Sequence, residues 1–197
     1  IYTLSLHDAL PIWVSPSAQD VRTGKSLIWC DPLYPILDLM GDDFDQAIAR
    51  SETALRTLED WQDELTAAYA CLLFEIAKEK ARIIRDLRGK YLADDRVWLA
   101  ALVQTDLPAL TNQYARLMGM HRRLWERDYK RNGWEVVCLR YGGMMARLAD
   151  MTDELARYLA GELKTIVELD ELPLDPARMA QHYAQLATPS AQLGDGF

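Results

Sequence analysis

Cysteine is scarce in this chain, and what there is does not pair. Cys30, Cys71 and Cys138 are the three cysteines of 197 residues. They are odd in number, far apart and without a CxxC spacing, which excludes a disulfide framework and a zinc or redox motif. Buried or incidental thiols in a reducing cytoplasm are the expectation. Histidine is equally sparse, at three residues. A di-metal bundle site needs inward Glu-x-x-His pairs, but Met118 precedes His121 by three and Met179 precedes His182 by three. No metal or other cofactor is therefore expected, and His121 reads as a hydrogen-bonded core or boundary residue. Positive charge is also short. Lys plus Arg is 22 against 30 Asp plus Glu, a net charge of −8. Such a chain repels phosphate backbones and anionic lipid, so neither nucleic acid nor membrane is an expected partner. Long apolar runs are missing too. The longest, Leu65 to Phe74, stops at Glu75, well short of a membrane span. No internal repeat is visible.

Half of the residues are apolar and 26% are charged, a globular balance. At this length about 70% of the chain's surface can be buried on folding, enough for one core. The opening residues fit poorly. Residues 1–12, IYTLSLHDALPI, have no basic start and no small-residue cleavage site, so they are not a signal peptide. They are similar to translated sequencing-adapter sequence. They are expected to be foreign to the fold, with the natural protein extending further upstream. Residues 13–42 read as a linker: a Pro/Ser-bearing stretch, then SLIWC as an extended strand ending at the Asp31-Pro32 turn.

Residues 43–172 carry sustained helical periodicity. Phe44 begins one segment. Asp63 looks like a cap for the next, whose stripe is Leu65, Tyr69, Leu72, Ile76, Ile83, Leu87 and Tyr91. The charged run KEKARIIRDLRGK reads as its outward face. A shorter helix spans Val97 to Thr105. Asp106-Leu107-Pro108 reads as a fresh helix start, continued by Leu110, Tyr114, Leu117, His121, Leu124 and Trp125. Asn132-Gly133 punctuates, and a last long helix carries Trp134 to Tyr158 before Gly161. Residues 173–197 show no firm period and read as an irregular tail. The fold class is all-α: an antiparallel up-and-down bundle of four to five helices behind a short extended linker.

Chemical motifs are weak. Arg22-Thr23-Gly24-Lys25-Ser26 contains the GKS of a phosphate loop, but Gln19 occupies the position of its first glycine, and LIWCDP reads as extended where a helix is needed. Cys138 lies on an apolar helix stripe, where a thiol stays protonated. The pairs Asp63-Glu64, Asp153-Glu154 and Asp170-Glu171 do not converge, because neighbouring helix residues point about 100° apart. Gly142-Gly143 is the most informative local feature. Each glycine inside a helix costs about 1 kcal/mol relative to alanine, and with Ala146 one turn on they form a side-chain-poor patch where another backbone could come close.

Two segments resemble a known family. KSLIWCDPLYPILD at 25–38 and GWEVVCLRYGGMMARLADMTDELARYLA at 133–160 are similar to the C-terminal helical domain of bacterial family-20 glycoside hydrolases, the β-N-acetylhexosaminidases. The carriers are the Asp31-Pro32-Leu33 turn, Trp134-Glu135-Val136, Arg140-Tyr141-Gly142-Gly143 and Ala146-Arg147-Leu148, with Asp106-Leu107-Pro108 in support. The resemblance implies a parent enzyme that removes terminal N-acetylhexosamines, using an adjacent Asp-Glu pair at a barrel strand end. No Asp-Glu pair here has that context, so no catalytic residue is carried over. The expectation is an accessory domain whose partner is the catalytic barrel, itself absent from this chain, which alone should be inactive. Trp29, Asp31, Arg140, Gly142 and Gly143 are the expected interface residues. The alternative is a free-standing helical module that dimerises or binds a partner, and an orphaned interface would itself favour homo-oligomers.

Overall fold

A computed structural model describes residues 25–29, 31–33, 44–57 and 63–171. The expectations for 1–12, for most of 13–42 and for 173–197 lie outside the described residues. Within them the chain is helical and no strand occurs. The elements are α1 (Lys25–Trp29), α2 (Phe44–Thr57), α3 (Glu64–Leu92), α4 (Arg96–Ala101), a π-helical turn (Leu102–Asp106), α5 (Leu107–Asp128), α6 (Trp134–Ala160) and α7 (Val167–Asp170). Consecutive long helices pack on one another, α2 on α3, α3 on α5 and α5 on α6. This is the expected all-α bundle.

Sequence sets the helix ends. Asp63 has an extended backbone and caps α3, accepting the Thr66 N–H at 3.2 Å. The Thr66 hydroxyl donates to its other oxygen at 2.8 Å. Asp95 caps α4 through the Trp98 N–H at 3.1 Å. Gly133 (φ 91) and Gly161 (φ 79) bracket α6 in the left-handed region that only glycine enters freely.

The Asp63 cap has a pH consequence. Hydrogen bonds from the Thr66 hydroxyl and N–H, then from Arg127, lower its carboxyl from 3.8 to about 2. The folded value lies below the unfolded one. The cap's contribution is therefore present above pH 3.8 and is lost as pH falls through 2. An Asp63→Asn variant should show a smaller fall in melting temperature between pH 5 and pH 2 than the parent. An equal fall in both would show that the cap does not contribute.

Three expectations need correction. The stretch from Ser26 to Trp29 is not extended: residues 25–29 form the short helix α1. Leu27 and Ile28 are buried in the core, and this tertiary contact outweighs a weak local preference. Ser26 therefore does lie in a helix, but one of five residues, and Gln19 still stands where a phosphate loop needs its first glycine. Secondly, Asp106 does not begin a separate helix. The backbone stays helical from Arg96 to Asp128, and the Asp106 carboxylate caps nothing; it takes Arg82 at 2.5 Å instead. Pro108 lacks an N–H and its ring crowds the carbonyl four residues back, that of Gln104. The wider π turn, in which the Leu107 N–H reaches the Leu102 carbonyl, makes room without a break. Thirdly, Lys80 does not belong to an outward face. It is 0% exposed.

Candidate interaction surface and its buried anchors

The site begins at α1, a helix of five residues. That is far too short to persist alone, so its hold on the bundle decides its structure. α1 sits where α3, α5 and α6 come together. Trp29 stacks edge-on against Tyr141 of α6, with ring centroids 4.9 Å apart, and tilts against Tyr114 of α5 at 6.4 Å. A helix end leaves carbonyls without partners. Here the Ile28 carbonyl receives the Lys80 ammonium of α3 at 2.9 Å and the Tyr114 hydroxyl. Lys80 also lies 3.5 Å from the Met144 sulphur and 5.7 Å from the Tyr114 ring centroid.

The Asp31-Pro32-Leu33 turn follows. Asp31 is wholly buried, accepts the Leu33 N–H at 3.0 Å and pairs with Arg147 at 2.5 Å. Arg147 also pairs with Asp150 and lies 3.8 Å from Glu168 of α7. Coulomb attraction to Asp31 and a hydrogen bond with it raise the guanidinium above its ordinary value, against the burial that opposes this. Glu154, one turn beyond Asp150, has a buried oxygen with no hydrogen-bond partner. Burial, then Glu168 and Asp150, push its carboxyl upward.

A second cluster surrounds His121. Tyr69, Trp134, Tyr141 and Trp125 ring it with centroids 5.3, 5.5, 5.9 and 6.2 Å away. Its Nδ1 lies 3.1 Å from the Tyr141 hydroxyl. Burial lowers the imidazole from 6.5 to about 4, so the ring is neutral near pH 7. Burial also pushes the Tyr69 phenol up to about 12 and raises that of Tyr141 further. This is a structural nest, as the apolar stripe suggested.

The outer face of α6 is different. Val136 and Leu139 are 52% and 69% exposed. Gly142 and Ala146 are exposed and Gly143 is half-buried. Spacings of three and four put them along one side of the helix. A Cβ built on Gly142 would meet no atom within 4 Å, so no internal helix crossing uses that glycine. Of the expected interface residues, Trp29 is half-buried and stacked inside the bundle. Asp31 has no exposed surface. Arg140, also half-buried, stands on α6 one turn before Gly143.

Catalytic geometry does not assemble from the candidate carboxylates. Asp63 caps α3. Asp153 is exposed and lies 3.7 Å from Arg157. Asp170 accepts the Tyr91 hydroxyl at 3.0 Å. Among the described residues no group of His, Cys, Asp and Glu could hold a metal ion, and no helix is long and apolar enough to cross a membrane. Cys71 and Cys138 are half-buried, on α3 and α6.

Fold and surface define a helical bundle domain whose incoming segment is keyed into its core. The family comparison agrees: the model described as the Glycoside Hydrolase 20C C-terminal domain matches residues 2–188. The chain belongs to that family. No curated protein matches it. The resemblance carriers also meet in space, since Asp31 of the Asp-Pro-Leu turn pairs with Arg147 of Ala-Arg-Leu. Sequence reading missed Arg147, Lys80 and Tyr114 as anchors. Residues separated by 116 and 52 positions carry no mutual signal in one sequence.

Proposed function

We propose that this chain is the accessory, structural C-terminal domain of a β-N-acetylhexosaminidase, that the catalytic barrel lies outside it, and that it does no chemistry alone. The observation carrying this reading is the α6 face. Val136, Leu139 and Gly142 leave apolar area and a bare stretch of backbone open, on the same stretch of helix that holds the incoming segment through Tyr141 and Met144. The barrel docks on Gly142 and Gly143, with Trp29 and Arg140 at the edge of the joint. Asp31 contributes by fixing the turn rather than by touching the partner. Three cysteines, odd in number and without a CxxC spacing, fit a reducing compartment, the cytoplasm.

The purified chain should not hydrolyse an aryl N-acetylglucosaminide above the buffer rate. Turnover abolished by a single carboxylate substitution would overturn the reading. A catalytic barrel of this family, expressed without its own helical domain, should retain the chain on co-purification. If the chain instead self-associates through Leu139 and ignores the barrel, the free-standing dimerising module is correct.

A further inference from the structure

Residues 25–29 and 31–33 are held in a way that ordinary core packing does not require. Leu27, Ile28 and Leu33 supply the apolar contact. Trp29 adds ring contacts with Tyr141 and Tyr114, and the rest of the attachment is charged and hydrogen-bonded: Lys80 and Tyr114 on the Ile28 carbonyl, Arg147 on Asp31, and Asp31 on the Leu33 N–H. A slot lined by an ammonium, a guanidinium and a phenol differs physically from one lined by leucines. When an apolar slot empties, it exposes hydrocarbon to water. When this one empties, the apolar contacts of Leu27, Ile28 and Leu33 are lost, but Lys80 and Arg147 are rehydrated, which recovers part of the desolvation cost that their burial imposed. Seated, the same groups demand exact placement, because a buried charge without its acceptor is expensive. The result is a steep difference between seated and open, with little in between. Arg147 keeps Asp150 and Glu168 as partners when Asp31 leaves, so the bundle is not stranded by release.

We propose that residues 25–33 are a strap that opens from the bundle as a separate cooperative unit, with Ile28 and Asp31 as its two catches. This stands on the geometry alone and does not depend on the proposed enzyme partner. The strap is the joint between the bundle and whatever chain precedes it, so force or contact from upstream acts on α3, α5 and α6 through these two catches.

The test is amide hydrogen exchange on the whole chain, read in peptides covering 25–33, α5 and α6. Asp31→Ala removes one catch from the strap side and leaves every bundle side chain in place. Tyr114→Phe removes one of the two donors to the Ile28 carbonyl and serves if Asp31→Ala expresses poorly. After correction for intrinsic rates, exchange over 25–33 should quicken at least ten-fold in Asp31→Ala and about three-fold in Tyr114→Phe, with α5 and α6 within two-fold of the parent. If 25–33, α5 and α6 quicken together, the segment is ordinary core and no strap exists. Unchanged exchange over 25–33 in both variants would show that the catches do not hold it.

Discussion

Acidification from pH 7 to pH 4 is expected to remove about 3 kcal/mol of stability through His121 alone. The ring is held at about 4 in the folded chain by burial, against an ordinary value of 6.5. The unfolded chain therefore takes up its proton first as pH falls. The stability is fully present well above 6.5, declines mostly between 6.5 and 4, and levels off just below 4. At this chain length the loss corresponds to a melting temperature lower by roughly 6–12 °C. The aromatic rings around His121 explain why the ring resists protonation: an imidazolium there would be surrounded by Tyr69, Trp134 and Tyr141, with one hydroxyl for its two N–H groups. Glu154 acts in the opposite sense. Its carboxyl is raised by burial, Glu168 and Asp150, so protonation on the way down favours the folded state. Comparison with His121→Phe isolates the histidine. The variant's urea midpoint should change little between pH 6.5 and pH 4 while the parent's falls. Parallel curves for the two would show that the nest does not exclude the charged ring.

How much of this was legible in the sequence depends on the range of the interaction. The helices were, because their stripes repeat every three to four residues and their ends carry local chemistry: Asp63, Asp95, Gly133 and Gly161 act within a turn of where they stand. The junction at Pro108 was half legible. Proline announces a disturbance, but a break and a π turn answer the same missing N–H, and packing of Leu102, Leu107 and Leu110, all fully buried, selects continuity. The N-terminal segment was misread because five residues have too little local preference to name their own structure. What makes them helical is the slot between α3, α5 and α6. Lys80 was misread for a related reason. Surrounded by Lys78, Glu79 and Arg82, it looks like surface. Its burial follows from a carbonyl 52 positions away. The α6 face was legible in kind, since paired glycines in a helix need a reason, but sequence could not decide between an internal crossing and an outward patch. The open space beside Gly142 shows that this one glycine serves no internal crossing.

That open space gives the last prediction two opposite signs. In this chain, Gly142→Leu should stabilise. The residue is exposed, its helix backbone is ordinary, and a side chain there meets nothing. Leucine forms helix better than glycine by about 0.8 kcal/mol, which raises the melting temperature by roughly 2–3 °C. A natural helix that forgoes this gain at Gly142 does so for something other than its own stability. In a full-length enzyme of the family bearing the same glycine pair, the substitution should act the other way. A branched side chain would stand where a partner's backbone approaches, and a few tenths of a nanometre of separation forfeits most of the dispersion contact across the joint. Docking of the two domains should then weaken, seen as two separate unfolding transitions by calorimetry in place of one. If the chain itself is destabilised, Gly142 is part of the bundle's own packing. If both proteins are stabilised alike, the face is open in that full-length enzyme as well and the proposed joint lies elsewhere.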